Sequence, residues 1–364
     1  MDFARRLAYP TVKKRVVLPK SQLKIVNAMF GAKLGGLEQV FVDYSEALGG
    51  RGHEMLNFVT PSAEVIPALD AMSLSHWAVA NFNQYDVIAR ARIRRKLRAE
   101  KPDVVIAQGN RAISLLKPAA RGVAPFIAVN HSINIRRTIG ADFVIAINDD
   151  MKRRLIEAGQ PADRVFKLFN MIRPPDRLPD PHPMKAPPVI SAMGRFVAKK
   201  GFDVFIEALG RLKDQGVPFR AILAGSGELD ASLKALAAAR GLGELLRFPG
   251  WVTDKAAFFR DADIFCFTSS HDVCPVVLLE AFLYAKPVII TDCPGPREIS
   301  ADGVDSLLFP IDDAAALAER IQRLIAYPEL ALHLAAAAQR KILDNHTFEK
   351  AGDRLETIVR GVLG

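Results

Sequence analysis

The sequence predicts an α/β protein of two doubly wound domains, each with a parallel sheet, facing one another across a cleft. Three observations support this prediction. Short apolar runs alternate with longer amphipathic segments in both halves of the chain. A proline-dense stretch, residues 172–188, separates the two halves and is typical of a stiff linker. The length of 364 residues exceeds one typical domain and suits two.

The first half contains the pattern of one complete domain, over residues 23–171. Predicted strands lie at 23–30, 54–59, 103–107, 126–130, 143–147 and 165–169. Predicted helices follow Gly35 and Gly36, cover 85–100 and 112–116, and extend from Asn148 or Asp149 to about Gly159. Residues 60–83 show no clear pattern. A basic extension, residues 1–22, precedes the domain.

The alternation restarts after the linker and defines a second domain over residues 189–346. Predicted strands lie at 189–193, 219–223, 246–248, 264–267, 287–290 and 306–309. Predicted helices extend from the loop 194–201 to about 215, follow residue 228, and cover 275–284, 314–324 and 329–343. A last predicted helix covers 348–362, beyond the end of this domain.

The positive charge is concentrated in the first half. The net charge is +9; residues 1–170 hold 26 Lys and Arg against 15 Asp and Glu, and residues 171–364 hold 23 against 25. A basic half indicates an anionic partner: a membrane surface, a nucleic acid or a phosphorylated substrate. Nucleic acid ranks lowest, because the basic segments lack interleaved aromatic residues and no nucleic-acid motif is present.

Two segments concentrate this charge. Residues 1–22 are either a flexible extension or an arm that lies on an anionic membrane. The predicted helix 85–100 is either solvated on its cationic face or contacts anionic lipid or acceptor phosphates. That face comprises Arg90, Arg92, Arg94, Arg95, Lys96 and Arg98.

The sequence favours a cytoplasmic protein without a metal site. No apolar run reaches the ~18 residues that cross a bilayer, and the N-terminus lacks the apolar core of a signal peptide. The cysteines, Cys266, Cys274 and Cys293, have no zinc spacing and fit a reducing compartment. Asp261 and Asp263 match an acidic metal pattern, but at a helix-to-strand junction we expect them to be structural.

Residues 266–299 contain the strongest chemical signal. A strand ending at Phe267 leads into a polar loop with Asp272, and Pro275 then begins a helix that contains Glu280. The two acids flank the first-turn amides of this helix, which favour an anion. Such a site suits a ligand with a phosphate centre and hydroxylated ends. The structural alternative is a solvated loop acid and a polar residue on a core helix.

Three further features occupy positions where α/β sheets bind ligands. Gly35 and Gly36 lie between a strand and a helix, where backbone amides approach a ligand closely, although a simple turn also explains them. His131 follows the carboxyl end of a strand, either as a ligand contact or as a satisfied loop residue. Arg195 and Lys200 flank a helix N-terminus, where they either bind a diphosphate or are solvated.

The second half resembles the retaining glycosyltransferases of family 4, whose GT-B fold has two facing Rossmann-like domains. The first half matches less densely, through GGLEQV, KPDVVIAQG, VNHS and Asn170. The resemblance implies that the last helix, residues 347–364, crosses back onto the first domain. The matching segments of the second half are collinear over about residues 190–315 and read GRFVAKKGFDVFIEAL, LAGSGE, FPGWV, ADIFCFTSS, DVCPVVLLEAFLYAKPVIITDCPGPREI and DGVDSLLFP.

The resemblance also implies roles for the candidate residues. The family signature of two acids separated by seven residues is Asp272 and Glu280 here, placed at the donor sugar and at the ribose. Arg195 and Lys200 match the cations on the donor diphosphate, and His131 matches the histidine near the donor sugar. Further donor contacts are implied at Gly35, Gly36, Gly225, Val252 and Val276.

This sequence departs from the family pattern at the first acid. Asp272 is one methylene shorter than the usual Glu, and Val273 and Cys274 replace the commoner Gly-Phe. These departures leave the donor sugar open. They do not affect the expected diphosphate site.

The activity implied by the resemblance is transfer of a hexose from a nucleotide diphosphate-sugar with retained anomeric configuration. The two cations and the helix amides would stabilise the leaving diphosphate without a metal, so no cofactor is expected. The preferred acceptor is a glycolipid or oligosaccharide of lipopolysaccharide core biosynthesis, reached at the anionic cytoplasmic face of the inner membrane. The alternatives are a soluble polysaccharide or small-glycoside transferase and a non-catalytic scaffold, with Asp272 a sign of lost activity.

Overall fold

Two parallel sheets organise the protein, one of seven strands and one of six. The computed structural model describes residues 21–33, 35–131, 134–273 and 275–364. Apart from its last two residues, the predicted basic extension lies outside the described residues, as does Cys274. Helices separate most successive strands in both halves. The predicted fold class, two doubly wound α/β domains, is confirmed.

The first sheet is built by the chain between residues 24 and 167. Its described strands are β1 (Lys24–Met29), β2 (Glu54–Val59), β3 (Ser75–Ala78), β4 (Val104–Gln108), β5 (Phe126–Asn130), β6 (Phe143–Ala146) and β7 (Val165–Lys167). The helices are α1 (Gly36–Gly49), α2 (Ile66–Ala71), α3 (Val87–Glu100), α4 (Asn110–Ala120) and α5 (Asp149–Glu157). The parallel strands lie in the order β3-β2-β1-β4-β5-β6-β7. The order of succession changes direction between β1 and β4, and this switch point creates a ligand-binding crevice.

The second sheet has the strand order β10-β9-β8-β11-β12-β13. Its strand order also changes direction between β8 and β11, although the strands themselves are parallel. Its strands are β8 (Val189–Met193), β9 (Arg220–Ala224), β10 (Leu246–Arg247), β11 (Ile264–Phe267), β12 (Val288–Thr291) and β13 (Leu307–Phe309). Its helices are α6 (Phe202–Asp214), α7 (Asp230–Ala239), α8 (Lys255–Asp261), α9 (Val276–Leu283), α10 (Pro294–Ile299), α11 (Ala314–Ala326) and α12 (Pro328–Asn345).

The last helix, α13 (Phe348–Gly361), packs against α1 of the first domain. Arg51, just beyond α1, places its Nη2 atom 2.5 Å from Oδ1 of Asp353. A backbone bridge joins Ile172 to Thr347 where the chain enters and leaves the second domain. These contacts tie the two ends of the second domain to the first.

Side-chain caps begin several of the helices. In each case the side chain accepts a hydrogen bond from the backbone N–H three residues later, which satisfies one orphan donor of the first turn. The capping residues are Asp86, Asn148, Asp254, Asp313 and Thr347. Such a cap stabilises its helix by about 1 kcal/mol.

Continuous apolar strands form the two cores. Every residue of β4 and of β5 is buried, as expected for strands covered on both faces of a parallel sheet. Cys266 in β11 is also buried, with 1 % of its surface exposed. None of the helices in the described part is both long and apolar enough to span a membrane.

Two regions contain more regular structure than the sequence predicted. Residues 60–83 contain helix α2 and edge strand β3, and the partly exposed Ser-His-Trp-Ala of β3 does not give a buried-strand pattern. Helix α4 extends beyond the predicted 112–116 and continues through Pro118 in its last turn. There the helix packs against α3, and Arg94 donates to the carbonyl oxygens of Ala119 and Arg121.

Candidate active site

A cleft of about 940 Å³ lies between loops that follow the carboxyl ends of strands in both sheets. This volume is typical of a site for a ligand the size of a nucleotide-sugar. The structure brings all the residues singled out in the sequence together along its walls. They are Gly35, Gly36 and His131 from the first domain and Arg195, Lys200, Gly225, Val252, Asp272, Val276 and Glu280 from the second. Their contacts with ligands stay predictions.

Lys200 and Asp272 form an ion pair on the second-domain side of the cleft. Nζ of Lys200 lies 2.5 Å from Oδ2 of Asp272, and the side chains are only 15 % and 17 % exposed. The same ammonium lies 5.5 Å from the centre of the Phe267 ring. Partial burial strengthens this pair relative to one on the surface. The two opposite charges therefore compensate each other.

The loops that carry this pair are held against each other by the backbone. The hydroxyl of Thr268 donates to the carbonyl oxygen of Lys200 at 2.8 Å. Gly201 adopts a left-handed conformation with φ of +59°, and a Cβ at this position would lie 2.3 Å from the Thr268 carbonyl oxygen. Glycine at 201 therefore lets the Lys200 loop approach the strand end that leads to Asp272.

Arg195 lies exposed in the loop after β8 and lines the cleft. Burial raises the pKa of Glu38 on the opposite domain, and the charge of Arg195 partly offsets that rise. The two side chains therefore interact electrostatically across the cleft. Gly225 makes room for this loop, because a Cβ there would lie 1.9 Å from the carbonyl oxygen of Gly194. A larger residue at 225 would displace the Arg195 loop.

The N-terminus of α9 faces the cleft at the point where the domains approach. Pro275, Val276 and Val277 line the cavity there. A Cβ built on Gly36 of the first domain would have Cγ2 of Val276 as its nearest atom, at 3.9 Å. The unpaired amides of the first turn of α9 favour a negative group at this position.

Lys255 is a cleft residue that the sequence analysis missed. Its Nζ atom lies 3.0 Å from Oε2 of Glu280 and 3.2 Å from Sδ of Met193. Burial raises the pKa of Glu280, and Lys255 partly offsets that rise. No fixed spacing in the sequence links Lys255 to Glu280. The only sequence signal for Lys255 was its position as a cation at the start of a helix that Asp254 caps.

A partly buried hydrogen bond fixes the tautomer of His131. Nε2 of His131 lies 3.2 Å from Oε1 of Gln108, whose own Nε2 donates to Oδ1 of Asn27 at 3.2 Å. Because Oε1 of Gln108 can only accept, Nε2 of His131 carries the proton and Nδ1 does not. Burial lowers the pKa of His131 to about 4, so the ring is neutral at neutral pH.

This hydrogen-bond chain continues through the interior of the first domain. Nδ2 of Asn27 donates to the Ser45 hydroxyl at 2.8 Å, and that hydroxyl donates to Oδ1 of Asn57 at 2.5 Å. All three side chains are fully buried. Satisfied buried networks of this kind hold one geometry, so the position of the His131 ring depends on residues well behind it.

Two contacts join the domains beside the ion pair. Nδ2 of Asn148 donates to the carbonyl oxygen of Val273 at 3.0 Å. The Glu298 carboxylate of α10 accepts from the backbone N–H groups of Asp149 and Asp150 at 2.5 and 2.8 Å. A residue of the second domain therefore caps a helix of the first.

Within the described ranges, no three His, Cys, Asp or Glu side chains are grouped so that they could hold a metal ion. Asp263 instead accepts from the backbone N–H of Val189 at 2.8 Å and lies 3.4 Å from Nζ of Lys185. These contacts confirm the structural role expected of Asp263.

Two facing doubly wound domains, with a cationic loop and paired acids in the cleft between them, define the GT-B class of glycosyltransferases. Residues 34–176 match the family Glycosyltransferase Family 4, and residues 177–341 match Glycosyl transferases group 1. The chain is 30 % identical over 339 residues to the lipopolysaccharide core biosynthesis glycosyltransferase LpsE of Rhizobium meliloti strain 1021, covering 91 % of this chain and 97 % of the relative. The chain belongs to the family 4 glycosyltransferases and is a transferase enzyme.

Two further comparisons agree with this assignment. Lipopolysaccharide core biosynthesis glycosyltransferase LpsD of the same strain is 26 % identical, covering 93 % of this chain and 99 % of the relative. The crystal structure of Anabaena HepE in complex with UDP and glucose has a TM-score of 0.80 at 20 % identity, covering 92 % of this chain and 98 % of that one. The structural similarity shows the GT-B fold. Membership of an enzyme family argues against the scaffold alternative.

Proposed function

We propose that the protein transfers a hexose from a nucleotide diphosphate-sugar to a cell-surface glycan with retention of anomeric configuration. The observation that carries this proposal is the placement of the Lys200–Asp272 ion pair. It lies beside the α9 N-terminus in a cleft that Arg195 and His131 also line. Groups that suit a diphosphate and groups that suit sugar hydroxyls thus share one cavity.

The reaction breaks the bond between the anomeric carbon and the diphosphate oxygen, so the leaving group gains negative charge. Arg195, Lys200 and the α9 amides would stabilise that charge. A bound diphosphate would replace Asp272 as the counter-charge of Lys200, which frees the Asp272 carboxylate to accept from sugar hydroxyls. Because these groups supply positive charge themselves, we propose that the reaction needs no metal ion or other cofactor.

The nucleoside would bind at the end of the cleft formed by Gly225, Val252 and Glu280. A carboxylate accepts readily from the two hydroxyls of a ribose, and Lys255 keeps Glu280 compensated in that buried position. The structural neighbour HepE is complexed with UDP and glucose. A UDP-sugar is therefore the first donor to test.

The acceptor we propose is an intermediate of lipopolysaccharide core, reached at the cytoplasmic face of the inner membrane. Two relatives that align over more than nine-tenths of this chain are named as lipopolysaccharide core glycosyltransferases. The excess of positive charge in the first half supports an acceptor or a surface rich in phosphate.

A donor and acceptor panel tests the proposal. The enzyme is incubated with UDP-, GDP- and ADP-hexoses and with purified core intermediates, with and without EDTA. We expect nucleotide release from one donor, a product whose anomeric proton coupling matches that of the donor, and the same rate in EDTA. Inverted configuration or loss of activity in EDTA would overturn the mechanism. Turnover only with soluble acceptors would overturn the lipopolysaccharide assignment.

A further inference from the structure

A second cavity, of about 310 Å³, lies on the first domain between the start of α3, the end of α4 and the segment 136–137. Its lining is strongly cationic, and within the described residues that line it there is no Asp or Glu. The basic residues are Arg90, Lys117, Arg121, Arg136 and Arg137, and the others are Gln84, Tyr85, Ser114 and Pro118. We name this cavity the basic pocket.

Among the described residues, the positive charges of the basic pocket have no carboxylate partner. In the described part of the chain, none of its five cations forms an ion pair with a carboxylate within 4.0 Å. Nε of Arg90 is buried and has no hydrogen-bond partner there. Burial lowers the pKa of Lys117, and the charges of Arg121 and Arg137 lower it further. Buried donors without partners and mutually repelling cations are the features of a site built for an anion.

The pocket is held in shape by contacts that leave this charge in place. Arg137 donates to the hydroxyl of Tyr85 at 2.7 Å and lies 5.0 Å from the centre of its ring. Nζ of Lys117 donates to the carbonyl oxygens of Arg137 and Ile139 at 2.9 and 2.7 Å. These bonds go to neutral acceptors, so they order the wall without cancelling its charge. The site is therefore preorganised.

Exposed apolar residues flank the pocket residues Gln84 and Tyr85 along the chain, and we name them the ridge. Phe82 is 89 % exposed, more than any other large apolar side chain of the described residues, and Val87 and Ile88 are 66 % and 64 % exposed. Tyr85, which belongs to both features, is 62 % exposed. Aromatic and aliphatic side chains beside a cluster of cations are typical of a surface that enters the headgroup region of an anionic bilayer.

We propose that the basic pocket binds the phosphate of an anionic membrane phospholipid while the ridge of Phe82, Val87 and Ile88 enters the outer acyl region. The occupant is argued from charge complementarity together with the ridge, because a free phosphate would leave the ridge in water. The proposal deepens the proposed function, since an acceptor on the membrane requires the enzyme to reach that surface. It differs from attraction by the whole cationic face of α3, because it depends on a few residues.

Vesicle sedimentation tests the proposal, with phosphatidylglycerol in phosphatidylcholine as the anionic probe and phosphatidylcholine alone as the neutral one. The double variant Arg121→Gln, Arg136→Gln removes two exposed cations of the pocket. Its matched control, Arg92→Gln, Arg98→Gln, removes the same charge from exposed positions of α3 outside the pocket. We expect the pocket variant to lose about 30-fold in vesicle affinity, the effect of two basic residues at an anionic surface, and the control to lose no more than about threefold.

Two further arms separate the sources of binding. The double variant Phe82→Ser, Ile88→Ser should lower vesicle affinity without changing the affinity for inorganic phosphate. That result would identify the lipid as the occupant. Equal losses in the pocket and control variants would overturn the proposal in favour of diffuse attraction. Absence of vesicle binding by the wild-type enzyme, with donor turnover intact, would also overturn it while leaving the proposed function standing. The UDP-induced thermal shift, unchanged in all variants, verifies that they fold.

Discussion

The ammonium nitrogen of Lys200 lies 2.5 Å from Oδ2 of Asp272, and the other carboxylate oxygen of Asp272 lies 3.3 Å from the backbone nitrogen of Val273. The carbonyl oxygen of Val273 accepts in turn from Asn148 of the first domain at 3.0 Å. The acid expected at the donor sugar is thus connected both to the cation expected at the diphosphate and to the opposite domain.

Substitution Lys200→Ala should lower turnover at least about 100-fold, the loss expected when one strong transition-state contact is removed. It also leaves the Asp272 carboxylate half-buried without its counter-charge, so the donor diphosphate meets a negative group instead of a positive one. Steady-state kinetics with the donor identified by the panel measures this. Lys213→Ala, an exposed lysine in the last turn of α6, is the control and should retain wild-type rates. A wild-type rate in Lys200→Ala would remove Lys200 from the site.

Glu280→Ala should also lower turnover at least about 100-fold.

Lys255→Met should act mainly on donor binding. Without Lys255, the burial that raises the pKa of Glu280 is no longer offset, so the carboxylate is protonated over a wider pH range. We expect Lys255→Met to weaken UDP binding about tenfold at pH 6 and less at pH 8, because a higher pH favours the ionised carboxylate. Calorimetric titration at both pH values measures it, with Lys255→Arg as the charge-preserving control. A deficit that does not change with pH would contradict the coupling.

The parts of the fold that the sequence predicted best are strands that are buried along their whole length. Strand β8 and strand β11 were predicted with their observed bounds, because both are short apolar runs inside a parallel sheet. Strand β3 was missed because an edge strand of four residues needs only one buried face. Helix α4 extends beyond its predicted residues, because packing against α3 outweighs the backbone donor that Pro118 lacks.

Only some contacts of the candidate site could likewise be predicted from the sequence. Lys200 and Asp272 follow adjacent strands at the sheet reversal, so topology alone predicts that they meet. Lys255 and Glu280 lie on different helices, and Glu298 reaches another domain. Such contacts depend on how helices tilt and how domains dock, which no spacing in the chain records.

Glu298→Ala should open the cleft. The carboxylate of Glu298 accepts from the N–H groups of Asp149 and Asp150 across the domain interface, where it also complements the dipole of α5. Loss of such a cap costs about 1 kcal/mol. Because the cap holds the two domains together beside the cleft, donor affinity should fall about fivefold. Calorimetric titration with UDP measures the affinity, and small-angle scattering should show a larger radius of gyration. Glu298→Gln keeps one acceptor oxygen and should lie between the two; unchanged affinity in both variants would contradict a role in closure.

His131 should make the stability of the protein depend on pH in a defined direction. Burial lowers its pKa from 6.5 to about 4, so between these values the unfolded chain binds a proton that the folded protein does not. This contribution is present above pH 6.5 and is lost as the pH falls towards 4, by up to about 1.4 kcal/mol per pH unit. Urea unfolding at pH 5, 6 and 7 should give a shallower loss of stability for His131→Gln than for the wild type. His333→Gln, an exposed histidine of α12, is the control, and equal slopes in the wild type and His131→Gln would show that burial does not keep the ring neutral.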